Sequence, residues 1–289
     1  MSNFVHGDNI LQKEEEYKEG TIQYRYLVEI RKKYNEWNKA NLALSGPFLK
    51  SSANDIDVLT KRVQLMNDYK DFIDQKKYAE TFDSRSNLHS SVLEEFIYYL
   101  FKDLTADISK NALIGKSHAF KDIFYSASSF KDMVDKPNFK IEKKDHDFVI
   151  GVSVNVEFQC HNEPFKQTEI LQIPAVAIEC KTYLDKTMLE GASTAASQLL
   201  VINPNALYIV VAEWLKLTDN VNLKKFKVDQ IYVLRKQKNT DRKYRLQEGY
   251  VKKPIYVDVV EHLFNTVRKH LTSSWSNSNS EGLDRGFLI

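Results

Sequence analysis

The stretch Ile173-Pro174-Ala175-Val176-Ala177-Ile178-Glu179-Cys180-Lys181 is the strongest constraint in this chain of 289 residues. Its apolar, β-branched run, bounded by polar segments, predicts a buried strand. Glu179 and Lys181 interrupt the run at its end, two residues apart. Side chains alternate along a strand, so the carboxylate and the ammonium share one face. Two charges at the end of a buried strand are costly unless they pair or bind something. The tripeptide is therefore either a local ion pair or part of a site, and in isolation the ion pair is the commoner reading.

The flanking segments supply a sheet for this strand. Upstream, charged residues up to Asp147 give way to Phe148-Val149-Ile150, after which Val152, Val154, Val156 and Phe158 alternate with smaller or polar residues. That pattern predicts a half-buried strand. Cys160-His161-Asn162-Glu163-Pro164 turns the chain, and Glu169 to Lys181 returns as the second arm of an antiparallel hairpin. Downstream, Asp185 or Thr187 opens a helix through Met188, Leu189, Ala192, Ala195, Ala196, Leu199 and Leu200, which Asn203-Pro204-Asn205 breaks. Ala206–Ala212 is wholly apolar, as at the centre of a sheet. Strand, helix and strand over this length predict a crossover with parallel pairing. A further strand covers Gln230–Leu234, and a last helix about Val257–Leu271.

The first part of the chain predicts helices. Residues 9–44 form one, with Gly20 as an interruption and Ser45-Gly46-Pro47 as its end. A second runs from about Asn54 to Glu80. A third begins after Asp83, capped by Ser84, Ser86 or Asn87, and its apolar face is Leu88, Val92, Leu93, Phe96, Ile97, Leu100, Phe101 and Leu104. Glu94 borders that face, and Glu95 points further round toward solvent. Residues 105–140 are mixed. Gly115-Lys116-Ser117 lacks the leading glycine of a phosphate-binding loop, so that motif is excluded. The division expected is a helical region at 1–82, an arm that packs or dimerises, and a second unit at 83–289.

Net charge is only +2, from 41 basic and 39 acidic residues, so a polyanionic partner is not announced globally. Locally, Arg25, Arg31, Lys32, Lys33, Lys61 and Arg62 favour a solvated face over nucleic-acid contact. Arg235, Lys236, Lys238, Arg242, Lys243 and Arg245 form the densest basic cluster. It is either a solvated hairpin or a clamp on phosphates. Two cysteines, Cys160 and Cys180, exclude a disulfide framework and a four-thiolate zinc site. Cys180 is expected as a core residue, and His146 and His161 as surface residues. The N-terminus lacks a signal-peptide pattern, and no apolar run approaches the roughly 20 residues of a membrane helix. A soluble, cytoplasmic protein is expected.

Glu179 follows Asp147 by 32 residues. In a hairpin that spacing sets the two carboxylates opposite one another, with facing side chains roughly 5 Å apart. Carboxylates so close repel unless a proton or a cation lies between them. Oxygen ligands select a hard cation, Mg²⁺ or Mn²⁺ in its place. Lys181 beside it is suited to orient a water or stabilise a phosphorane transition state.

Asp147 before Phe148-Val149-Ile150, followed by Glu179-Cys180-Lys181 at the end of an apolar strand, resembles the PD-(D/E)XK nuclease superfamily. The order helix, three-stranded meander, helix, strand over roughly residues 84–235 resembles it too. The resemblance implies a restriction-endonuclease-like α/β fold, a mixed sheet flanked by helices, with residues 83–289 as the PD-(D/E)XK nuclease catalytic domain and the helical N-terminal region 1–82 serving DNA recognition or dimerisation. It implies Asp147, Glu179 and the main-chain carbonyl of Cys180 as metal ligands and Lys181 as the residue that assists the water. It adds Glu94 from the preceding helix, with Glu95 as the alternative. Gln198, on the following helix, either faces the site or packs on the sheet. The family's proline before the aspartate is absent, and Asp145 is the alternative to Asp147. Within the superfamily the chain is most similar to type II restriction endonucleases, in particular to subunits of the heterodimeric BbvCI-type enzymes. That likeness implies Mg²⁺-dependent hydrolysis of double-stranded DNA, leaving 5′-phosphate and 3′-hydroxyl ends, and a second nuclease subunit in a heterodimer or homodimer. The competing reading is a non-catalytic DNA-binding or assembly subunit on the same fold.

Overall fold

The computed structural model describes residues 3–82, 87–238 and 249–275, together with Leu283 and Gly286. Four helices come first: α1 (Val5–Glu16), α2 (Ile22–Ala43), α3 (Asp55–Ile73) and the short α4 (Lys76–Thr81). The single helix expected over residues 9–44 is two. Gly20 takes a left-handed φ of 87°, and Thr21 then caps α2 by accepting from the Tyr24 amide. The helix expected from Asn54 to Glu80 also divides, because Gln75 is extended (ψ 143°). Helix α5 (Ser91–Ile108) starts at Ser90, later than the caps considered; of these, Ser84 and Ser86 lie outside the described residues, as does the boundary between 82 and 83.

Then follow β1 (Leu113–Tyr125), α6 (Phe130–Asp135), β2 (Phe139–Gln159), β3 (Lys166–Leu184), α7 (Lys186–Ile202), β4 (Leu207–Leu215), β5 (Gln230–Val233) and α8 (Val257–Thr272). The strands form one mixed sheet in the order β1-β2-β3-β4-β5. The first three pair antiparallel, and β3–β4 and β4–β5 pair parallel across the α7 crossover. This is the mixed, helix-flanked α/β architecture that the residue pattern and the resemblance imply. The strand β1 was not evident from its own residues, since Gly115, Lys116, Ser117 and His118 carry little β-propensity.

Strand alternation assigns the two faces. Phe148, Ile150, Val176, Ile178, Ile209 and Val211 pack beneath α5, α8 and the N-terminal helices in one continuous core. Val149, Ala177, Tyr208, Val210 and Ala212 meet the small face of α7, namely Leu189, Ala192, Ala195, Ala196 and Leu199. Beyond this core the β2–β3 hairpin leaves the sheet plane, so Val152 and Val154 are exposed rather than half-buried. The turn is made at Gly151, where a Cβ would stand 2.2 Å from the Ile173 carbonyl oxygen. The distal hairpin folds back on β1, and Gln172 Oε1 accepts from the Ser117 hydroxyl at 2.8 Å and the His118 amide at 3.1 Å.

Two basic clusters prove structural in part. Arg62 is buried and donates to the carbonyls of Asn41, Leu44 and Gly46, closing the α2–α3 connection. Arg235 is not part of a clamp. It is buried, donates to Glu213 from Nε (3.1 Å) and Nη2 (2.9 Å), and stacks over Trp214. Glu213 in turn meets Lys70 Nζ of α3 at 3.0 Å, so a buried ion network joins the helices to β4. Lys236 and Lys238 pair with Asp258 and Asp219; Arg242, Lys243 and Arg245 lie outside the described residues. Among the described residues, no helix is long and apolar enough to cross a membrane.

Candidate active site

Register brings the carboxylates together. Phe148 pairs with Ile178, and one step further along the two strands sets Asp147 opposite Glu179. Lys181 extends from the same strand end. Its Nζ lies 3.0 Å from Asp147 Oδ2 and 2.8 Å from Glu179 Oε2. The amide of Cys180 also donates to Asp147 Oδ2, at 2.8 Å, so the aspartate takes the place of a carbonyl where the β2–β3 ladder ends. On the other side of the ladder, Ser117 pairs with His146 and Gly115 with Val149. Two residues of β2, Asp147 and Phe148, therefore stand opposite Lys116 alone, a β-bulge that re-aims the Asp147 side chain.

Glu94 reaches the cluster from α5. Its Oε2 is buried without a hydrogen bond and lies 3.9 Å from Lys116 Nζ. Glu95 faces the other way and is not solvated as expected. Helix α1 covers it, and its carboxylate accepts from the amides of His6 (2.9 Å) and Gly7 (3.2 Å) and from the hydroxyls of Tyr34 (3.0 Å) and Tyr99. Asp145 is exposed and pairs with His118. Gln198 is half-buried on α7 and makes no hydrogen bond to the cluster. Cys180 is buried, with its thiol pKa pushed up by that burial, whereas His161 is exposed.

His146 corrects a second surface expectation. It is buried, with Nδ1 3.5 Å from Glu179 Oε1, because its strand position points under the ladder end toward the ring of Tyr208. The Tyr208 hydroxyl donates to the same Glu179 oxygen at 3.1 Å. Lys116, His146 and Tyr208 all escaped sequence reasoning. For Tyr208 a signal existed: a lone hydroxyl in a fully apolar strand needs a buried partner.

The environments split the carboxyls. Burial raises the pKa of Glu94 to about 7, with the Asp147 charge adding to the effect. Burial also raises Asp147, against the pull of Lys181. Burial would raise Glu179 too, but His146 and Lys181 outweigh it and hold this carboxyl well below its usual range. Lys181 is disfavoured as a cation by burial, yet Asp147 and Glu179 together hold it protonated well above the usual range. Fully ionised, three carboxylates face two ammonium groups, so the cluster retains an affinity for positive charge. Among the described residues no three carboxylate, imidazole or thiol groups are already gathered as a metal cage, and the Lys181 ammonium lies between Asp147 and Glu179. The donor chemistry nevertheless suits a hard divalent ion: the site oxygens are carboxylate and carbonyl, and Glu94 Oε2 is a buried acceptor with no donor.

Residues 85–288 match the family described as Bpu10I restriction endonuclease. A solved structure described as the native BbvCI A2B2 tetramer at low resolution has a similar fold, with a TM-score of 0.68 at 19% sequence identity. The similarity covers 94% of this chain and 97% of that one. No curated protein sequence matches the chain significantly.

Proposed function

The chain belongs to the Bpu10I restriction endonuclease family, and from that premise we propose that it is a subunit of a type II restriction enzyme that hydrolyses phosphodiester bonds in double-stranded DNA. The observation that carries this reading is the Lys181 ammonium shared between Asp147 and Glu179 beside the donorless carboxylate oxygen of Glu94. Asp147, Glu179, Glu94 and the carbonyl of Cys180 are the groups that would hold Mg²⁺, or Mn²⁺ in its place. Such an ion supplies Lewis-acid stabilisation of phosphate oxygens and acidifies a bound water.

The protein's own part is positional and electrostatic. Lys181 orients the attacking water and offsets charge that grows on the phosphate. The Tyr208 hydroxyl fixes the Glu179 carboxylate from behind, with the His146 ring 3.5 Å from the same oxygen. The bulge at Asp147 turns its side chain toward Lys181. One such site cuts one strand, so a double-strand break calls for a second nuclease subunit, in a heterodimer or a homodimer; the BbvCI structure is an A2B2 tetramer. The helices before residue 83 serve DNA recognition or dimerisation in this reading, and the enzyme acts in the cytoplasm.

The test is cleavage of plasmid DNA with Mg²⁺, with and without a partner subunit. Glu179→Ala and Lys181→Ala are expected to lose at least 100-fold in rate, the order typical of losing a group that stabilises transition-state charge. If both cut as fast as wild type, the site assignment is wrong. Failure of the wild-type chain to cut under any pairing, with DNA binding retained, favours a non-catalytic assembly subunit.

A further inference from the structure

We infer that Lys116 is a DNA-phosphate contact of this site, a second lysine placed to hold the backbone of the strand being cut. The inference rests on reading the cluster as a phosphodiester site. Lys116 is the one β1 residue opposite both Asp147 and Phe148, so the bulge that re-aims Asp147 also fixes where Lys116 stands. The preceding residue, Gly115, has φ 110°, a conformation open to glycine and rarely to other residues. Asn3 Oδ1 lies 2.5 Å from where a Cβ on Gly115 would be, so the space beside that backbone is filled. The local chain is built for one placement of the Lys116 backbone.

The charge on Lys116 is only loosely engaged, with Glu94 at ion-pair distance and no carboxylate within hydrogen-bond reach. Lys181 sits within 3.0 Å of both its carboxylates, whereas Lys116 Nζ is 3.9 Å from Glu94 Oε2, beyond hydrogen-bond reach. Were Lys116 placed to satisfy that oxygen, the oxygen would have a donor, and it has none. Among the described residues Lys116 has no second acidic partner, and 39% of its side chain remains exposed, against 26% for Lys181. An ammonium at ion-pair distance from one buried carboxylate, without a hydrogen bond to it and partly open to solvent, is suited to a polyanion approaching from the solvent side. Backbone phosphate is such a ligand, and a lysine meets it as a point charge. Lys116 is the Gly115-Lys116-Ser117 lysine that no phosphate-binding loop accounts for.

The test measures binding of the full chain, with its partner subunit where one is needed, to a fluorescent mixed-sequence DNA duplex in EDTA, so that cleavage does not intervene. Log affinity is followed against log salt for wild type, Lys116→Gln and Lys116→Arg. Loss of one phosphate contact reduces the slope by about 0.9 and weakens binding roughly eightfold at about 0.1 M salt. Lys116→Gln is expected to show both changes, and Lys116→Arg to keep the wild-type slope. A slope unchanged in Lys116→Gln overturns the inference and leaves Lys116 as a counter-ion of Glu94. If Lys116→Gln melts early, Lys116→Ala supplies the comparison at a temperature where it is folded, with the same two outcomes. The nuclease reading fails separately: wild type that binds but never cuts removes that reading, while the slope still decides whether Lys116 touches phosphate.

Discussion

The buried carboxyl of Glu94 makes the metal-free protein less stable as pH rises, and Glu94→Gln removes that dependence. The group titrates at about 7 in the fold against 4.5 for a free side chain, because burial and the Asp147 charge disfavour its ionised form. The native state therefore binds a proton that the unfolded chain has released, and stability falls as pH rises between those two values. At about pH 8 the linkage weakens the fold by about 3 kcal/mol, and at about pH 5 by about 1 kcal/mol. A neutral amide of the same shape has no such term. The assay is urea unfolding of wild type and Glu94→Gln in EDTA across that pH range. The variant gains about 2 kcal/mol relative to wild type between the two ends, a midpoint difference near 1 M urea for a slope of roughly 2–3 kcal/mol per molar. Mg²⁺ at high pH is expected to narrow the gap by stabilising the ionised carboxylate in the wild type alone. A stability difference that is the same at both ends of the range refutes the argument, because a packing effect of the substitution carries no proton linkage.

Two further substitutions probe the supports of the site. Glu95→Ala leaves the His6 and Gly7 amides and the Tyr34 and Tyr99 hydroxyls without their acceptor; a loss of about 3–5 kcal/mol is expected, with α1 the first segment to gain amide hydrogen exchange. Unchanged protection over Val5–Glu16 would show that α1 is held by packing instead. Tyr208→Phe removes one donor from Glu179, and a hydrogen bond to a charged group is worth about 1.5–3 kcal/mol. The variant should fold, lose stability by that order at neutral pH, and cut DNA more slowly with little change in DNA affinity. An equal loss of affinity and rate would mean that Tyr208 shapes the DNA surface rather than the carboxylate.

Alternation and spacing carried most of the fold. A period-2 apolar pattern cannot slip by one residue without exposing a core, so the β2–β3 register, and with it Asp147 opposite Glu179, was legible from residues alone. The α7 crossover followed from the small apolar face between two apolar strands, and its parallel pairing from the handedness and length of such connections. Local signals also limited what could be read. One extra residue in β2 opposite Lys116 leaves no trace in hydrophobic periodicity, so the bulge was invisible, and Lys116 with it.

The environment of a polar residue depends on elements far away in the chain. Glu95 lies on the outer side of α5 by helical geometry and would be solvated, but α1, 89 residues earlier, lies over it. Arg235 heads a basic run and would be a surface residue, but Glu213 on the neighbouring strand and Lys70 on α3 turn it into part of a buried ion network. His146 is polar in a charged segment, yet Glu179 and Tyr208, from two other strands, close over it. What the amino-acid order determined by itself was the identity of β2 to β5, the helices α7 and α8, the apolar face of α5, the mixed sheet, and the meeting of Asp147 with Glu179 and Lys181. The tertiary structure decided which other charges joined them, because a side chain's burial and its partners are set by what packs over it, and here that comes from helices and strands distant in sequence.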